Sequence, residues 1–401
     1  MSALKYWIWL ASIDALGARS AVRLLDGFGA PENVYFADED EYARREDISD
    51  VAKRALADKS LETADRILAE CDRLGIRVVT PQDTDYPDRL KGISAPPCVL
   101  YVKGKLPVID EEPALCVVGT RSATPYGLDA ARRICSDLAK GGLTLVSGLA
   151  QGVDTQAHRS AIGAAKPSVA VLACGADVIY PAENKDLYAD IAACGAIISE
   201  YPPGTRALGA NFPARNRILS GLALGTLVIE AGARSGALIT AHAAMEQGRD
   251  VFCVPGNIVS PASEGCHALI REGATLVTCA ADILREYAPL YPQRIAAAPA
   301  PAAPVRPAPA PKTGSAPAEP APARPLDITA LVTGYTPSQQ AVLICAAATP
   351  VTADEIVALT SLPVRQVLTD LTLLEIDGIM EQLPGKRFIM KISQRREGGK
   401  T

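Results

Sequence analysis

Short apolar runs alternating with amphipathic stretches fill the middle of the chain. The runs are Ala114–Val118, Leu143–Ser147, Ser168–Cys174, Ala196–Ser199, Thr226–Glu230, Asp250–Val254 and Thr275–Thr278, each ended by Gly or a polar residue. A strand apolar along its whole length is buried on both faces, so such strands separated by helices predict a parallel sheet covered on both sides. The fold class is therefore α/β, with a doubly wound, extended Rossmann-like parallel sheet over residues 81–290 and its ligand expected at the carboxyl ends of the strands. Residues 1–80 instead carry apolar positions near every third or fourth place, predicting helices over Lys5–Ala15, Ala18–Leu25, Asp38–Arg45 and Asp50–Leu74. Within them, Leu16-Gly17-Ala18-Arg19 through Leu25, followed by Phe28-Gly29, fits either a helix-hairpin-helix element that grips nucleic-acid backbone or an ordinary small helical bundle. At the other end, helices over Pro337–Ala346, Thr352–Leu359 and Pro363–Asp377 and strands over Ile379–Leu383 and Arg387–Lys391 predict a winged helix spanning 327–401.

Composition adds the boundary between these parts. Residues 296–325 hold ten Pro and twelve Ala, which removes backbone donors and leaves almost nothing to bury. A linker is expected over 291–326, and in polyproline form it extends by about 3 Å per residue. None of the ten Cys stands in a CxxC, and most lie in apolar runs, so reduced cysteines in a cytoplasmic protein are expected rather than disulfides or zinc. The early apolar stretch Tyr6–Ile13 is closed by Asp14 and reads as an amphipathic helix, and no stretch reads as a membrane span.

The net charge of −5 gives no hint of a polyanionic partner. Local charge differs: between Glu200 and Glu230 no acid occurs, while Arg206, Arg215 and Arg217 do. With Asn211, Phe212 and Asn216 beside them, these residues suit phosphates and a stacked base, or else surface ion pairs. Val118-Gly119-Thr120-Arg121-Ser122 follows a strand with backbone N–H groups, two hydroxyls and a guanidinium, a combination fitted to phosphate. Ser147-Gly148 and Ser235-Gly236 mark two more small-residue loops after strands. Asp154 and His158 read either as a helix-terminal carboxylate with a packed imidazole or as an acid/base pair. GxGxxG, GxSxG and HExxH are all absent.

In ordered blocks the chain resembles the DprA/Smf family of bacterial DNA-processing proteins. The blocks include Val118–Ser122, Val146-Ser147-Gly148-Leu149-Ala150-Gln151-Gly152-Val153-Asp154, Tyr180-Pro181, Phe212-Pro213-Ala214-Arg215-Asn216-Arg217-Ile218, Val228–Ala231, Ser235–Ala241 and Val254-Pro255-Gly256. The resemblance implies a non-enzymatic, cofactor-free homodimer that binds single-stranded DNA without sequence preference and loads the RecA recombinase in natural transformation. It also implies a small helical, SAM/helix-hairpin-helix-like domain in front. Carried onto this sequence, Gly119, Thr120 and Arg121 form the phosphate turn, and Phe212, Arg215, Asn216 and Arg217 fall in a second DNA-facing block. Ser122, Ser147, Gly148, Arg206, Asn211, Ser235 and Gly236 complete the candidate set. The tail departs from a DNA-reading pattern, because Pro363–Asp377 carries Arg365 but also Asp370, Glu375 and Asp377, with basic residues at Lys386, Arg387, Lys391, Arg395 and Arg396 instead. A second resemblance, to nucleoside-monophosphate phosphoribohydrolases with a PGGxGTxxE block, rests on Ser220–Thr226 and Glu230, without PGG and with the acid one residue late.

Overall fold

The computed structural model describes residues 3–295, 335–347, 351–383 and 387–390, which divide into two compact units, one up to Arg306 and one from Pro307. In the first, nine strands form one sheet in the order β1-β2-β6-β5-β4-β3-β7-β8-β9. They are β1 (Arg77–Val79), β2 (Leu100–Gly104), β3 (Ala114–Val118), β4 (Thr144–Ser147), β5 (Ser168–Leu172), β6 (Ala196–Ser199), β7 (Gly225–Val228), β8 (Asp250–Cys253) and β9 (Thr275–Leu276). All seven predicted strands are present and parallel. The edge differs from a purely parallel sheet: β2 runs antiparallel to β6, and β1 antiparallel to β2. These two escape sequence reading because one has three residues and the other follows directly on Pro96-Pro97 and Cys98-Val99.

The helices are α1 (Leu4–Ala11), α2 (Gly17–Phe28), α3 (Pro31–Phe36), α4 (Glu39–Ala43), α5 (Asp50–Leu56), α6 (Glu62–Leu74), α7 (Asp88–Lys91), α8 (Pro125–Lys140), α9 (Val153–Gly163), α10 (Lys185–Cys194), α11 (Asn211–Leu222), α12 (Gly236–Glu246), α13 (Glu264–Arg271) and α14 (Ala280–Tyr287). The single helix expected over Asp50–Leu74 is two, α5 and α6. Alternate residues of β3 go to opposite faces, as strand geometry demands. Ala114, Cys116 and Val118 pack with Ile218, Leu219 and Leu222 of α11 and Ala241 of α12. Leu115 and Val117 pack with Ile134 and Leu138 of α8, Ala157 of α9 and Ile283 of α14. The amino-terminal helices share a third core with the sheet, in which Trp7, Ile8, Leu24 and Ile67 meet Tyr101, Ala170, Leu172 and Ile197.

Tyr291–Ile295, assigned by composition to the linker, instead close the core between the sheet and α8, α9 and α14: Ile295 is buried there and Arg294 pairs with Glu112 at 3.0 Å. The rest of the Pro/Ala-rich segment lies outside the described residues, as do Lys386, Lys391, Arg395 and Arg396. In the second unit, α15 (Pro337–Cys345), α16 (Ala353–Thr360) and α17 (Val364–Ile376) pack with a three-stranded sheet of β10 (Val351–Thr352), β12 (Arg387–Met390) and β11 (Met380–Leu383), an arrangement of a winged helix. In this unit the two-residue β10 is a strand that the sequence pattern does not predict. Capping boxes at Thr336 and Thr352 start α15 and α16.

Candidate nucleic-acid interface

From β3 the chain moves outward through β4, β5 and β6, then returns to lay β7 on the other side of β3. Loops leaving β3 and β7 therefore diverge, and the gap between them is where an open α/β sheet binds ligands. A cavity of about 570 Å³ occupies that place. Its turn is fixed by the backbone: Thr120 N–H donates to the Glu230 carbonyl at 2.7 Å, and Val153 N–H to the Thr120 carbonyl at 3.3 Å. The Glu230 carboxylate accepts from Thr124 N–H at 2.8 Å and from its hydroxyl at 2.6 Å, joining the β7 loop to the start of α8. Gly119 has no room for a side chain, since a Cβ would stand 2.5 Å from Val153.

Arg121 is exposed at the mouth, takes no carboxylate partner among the described residues, and lies 4.8 Å from the centroid of the Phe212 ring. Phe212 meets Tyr180 edge to face at 5.8 Å, and Tyr180 is 41% exposed. A free guanidinium and two partly open aromatic rings thus stand together over the turn. Ser235 and Gly236, at the start of α12, form the opposite wall, with the Ser235 hydroxyl accepting from Ala237 N–H.

Beneath them Arg215 is buried. It donates to the Gly148 carbonyl at 3.0 Å, to the Val171 carbonyl, and to Asn216 Oδ1 at 3.3 Å, and burial pulls its pKa down. A Cβ at Gly148 would lie 2.5 Å from the guanidinium, so a side chain there would displace Arg215. Burial pushes the Asp154 carboxyl up, opposed by the Arg215 charge and by N–H bonds from Ala150 and Gly148. His158 is equally buried. Ser168 Oγ donates to the Leu145 carbonyl at 2.9 Å, so His158 Nδ1 carries the proton it shares with that hydroxyl at 2.8 Å. Burial lowers its pKa to about 3, leaving a neutral, packed imidazole. The acid/base reading of Asp154 and His158 gives way to the helix-terminal one.

The cavity brings together Gly119, Thr120, Arg121, Phe212, Arg215, Asn216, Ser235 and Gly236. Other candidates lie elsewhere. Ser147 is buried and donates to the Val117 carbonyl, Gly148 lies beneath Arg215, and Asn211 donates to the Ala173 carbonyl at 3.1 Å. Ser122 and Arg206 are exposed beyond the lining. Arg217 is turned away: it forms a bidentate pair with Glu200 at 2.5 and 2.8 Å and donates to the Ala95 carbonyl. The acid-free interval in sequence is therefore not acid-free in space. Tyr180, Ile239 and Thr240 line the site without having been singled out as site residues. For Tyr180 the available signal was its rarity, one of few aromatics, directly after a strand-end loop. Ser220–Thr226 run from the end of α11 into the start of β7, at the amino end of that strand and away from the cavity, while Glu230 of the phosphoribohydrolase-like block is at the cavity turn with its carboxylate taken up by Thr124. No group of three His, Cys, Asp or Glu able to hold a metal occurs among the described residues.

Fold and cleft define a Rossmann-like protein with a cavity at its topological switch point and, later in the chain, a winged helix. A family model described as DNA recombination-mediator protein A matches residues 77–288, and one described as DprA winged helix domain matches 297–386. Protein Smf of Synechocystis sp. is 34% identical over 395 residues, covering 96% of this chain and 98% of its own. DNA processing protein DprA of Streptococcus pneumoniae is 44% identical over 205 residues, 51% of this chain and 72% of its own. The X-ray structure of DNA processing protein A from that organism aligns with a TM-score of 0.62 at 35% identity, covering 71% of this chain and 99% of its own. The chain belongs to the DprA/Smf family of DNA-processing proteins.

Proposed function

We propose that the switch-point cleft binds single-stranded DNA without sequence preference, and that the protein, acting as a non-enzymatic cytoplasmic homodimer, passes the strand to a RecA-type recombinase during DNA uptake. The observation that carries this reading is the grouping of Arg121 with Phe212 and Tyr180 over the Gly119–Thr120 turn. A guanidinium serves a phosphate of any nucleotide, and an aromatic face serves any base, so the pair favours strands whose bases are free over duplexes whose bases are stacked. Membership of a DNA-processing family supports DNA as the partner. Among the described residues no single helix is long and apolar enough to cross a membrane.

The test compares oligo-dT with a duplex of equal length at several salt concentrations. Binding should favour the single strand and weaken as salt rises. Arg121→Ala should lower affinity on every sequence and reduce the log–log salt slope by about 0.7, one phosphate contact. Absent or salt-independent binding, or an Arg121→Ala effect confined to one sequence, overturns the assignment. Recombinase delivery is tested by measuring recruitment with and without the residues after 326. The described face of α17 supports a protein-docking role for the tail, because Val364, Leu368 and Ile376 are exposed and Asp370 is buried.

A further inference from the structure

A second cavity, of about 1030 Å³, lies between the amino-terminal helices and the sheet. Its floor is apolar, formed by Leu10, Leu16, Ile67, Cys98 and Val99. One wall is Tyr201-Pro202-Pro203 with Ala214 and Arg217 of α11. The same loop and the same helix wall the switch-point cleft through Ala207, Gly209, Phe212 and Pro213. The two cavities are therefore back to back across one loop and the first turn of α11, and Arg206 is exposed on the stretch of loop between them.

Charge at the second cavity is mixed but not balanced in its effect. Arg217 is held by Glu200 and Arg73 by Glu70, each at 2.5 Å. Arg19 and Arg66 are exposed and have no carboxylate or carbonyl partner among the described residues, and Asp14 is the remaining acid in the lining. Arg19 belongs to the Leu16–Leu25 segment, which fits either a backbone-gripping hairpin or an ordinary helical bundle. There α2 begins without a side-chain cap and without an acid in its first turn. An apolar floor under unpaired guanidinium groups, one loop away from a cleft that also presents an unpaired guanidinium beside apolar rings, fits a chain of bases and phosphates better than an isolated small anion.

We propose that the strand held in the switch-point cleft continues past Arg206 into this second cavity, where Arg19 and Arg66 meet its phosphates and bases rest on the apolar floor. The inference rests on the reading of the cleft as a single-strand site, and the test separates the two. Binding of oligo-dT of about 6 and about 20 nucleotides, bracketing common single-strand site sizes, is measured on the full chain, on Arg121→Ala and on the double variant Arg19→Ala/Arg66→Ala. The double variant should bind the short oligonucleotide as the parent does, lose about tenfold on the long one, and show a salt slope smaller by about 1.4 on the long one, two contacts. Arg19→Lys/Arg66→Lys should restore most of the long-oligonucleotide affinity. Unchanged affinity and slope on the long oligonucleotide, or equal loss on both lengths, overturns the extension. An acidic peptide such as polyglutamate that binds the parent and not the double variant, while DNA binding is unaffected, assigns the cavity to another partner and also overturns it. If the parent binds neither oligonucleotide, or Arg121→Ala changes neither, the cleft reading itself has failed and the extension falls with it.

Discussion

Arg215 and Arg217 stand two positions apart on α11, so their side chains leave the helix about 200° apart. One turns under the switch-point cleft and satisfies two main-chain carbonyls; the other turns toward the amino-terminal helices and Glu200. Arg217→Ala should therefore cost stability, about 1–3 kcal/mol for a mostly buried charged pair whose acid is left behind, yet leave the affinity for short oligo-dT unchanged. Denaturant unfolding and a binding titration on one preparation check both halves. His158 sets a pH dependence. Its folded pKa of about 3 lies below the ordinary 6.5, so the unfolded chain takes the proton first, and this stabilisation is present above pH 6.5 and lost as pH falls toward 3. Between pH 7 and 5 the loss should be about 2 kcal/mol. In His158→Gln that slope should vanish while the opposing contribution of Asp154, whose pKa is raised, persists in both proteins; equal slopes in the two would refute the assignment.

Turns between elements hold the cleft together more than the elements themselves. Gly152, just before α9, has φ +78°, and a Cβ on it would stand 2.4 Å from the Thr120 carbonyl oxygen and 2.7 Å from that of Arg121. Both obstacles are backbone, so nothing can rotate aside. Gly152→Ala should destabilise the first unit by several kcal/mol and displace the phosphate turn, seen as a lowered melting temperature together with weakened oligo-dT binding at temperatures where the variant is still folded. Elements with continuous apolar runs were legible from the sequence because burial on both faces writes itself along the strand. The antiparallel edge was not. Strand β1 has three residues, and β2 gains its place in the sheet by pairing with β6, nearly a hundred residues later.

At the scale of the whole molecule, the switch-point cleft is built wholly from the unit ending at Arg306. A chain ending at residue 306 should keep the melting transition of that unit and its affinity for oligo-dT; calorimetry and a binding titration on the shortened chain check this, and loss of DNA affinity would move part of the site into the winged helix. Sequence alone determined the kinds of layers, the order of the parallel strands along the chain, the glycine-bearing turn and the family, because these are properties of local periodicity and of contiguous residues. Tertiary structure alone decided which charged groups stay free. Arg121 is left without a carboxylate partner among the described residues, whereas Arg217 is claimed by Glu200 across 17 positions and Arg215 by carbonyls up to 67 positions away. Charge is felt through space, and an interval without acids along the chain says nothing of the acid that the fold brings back.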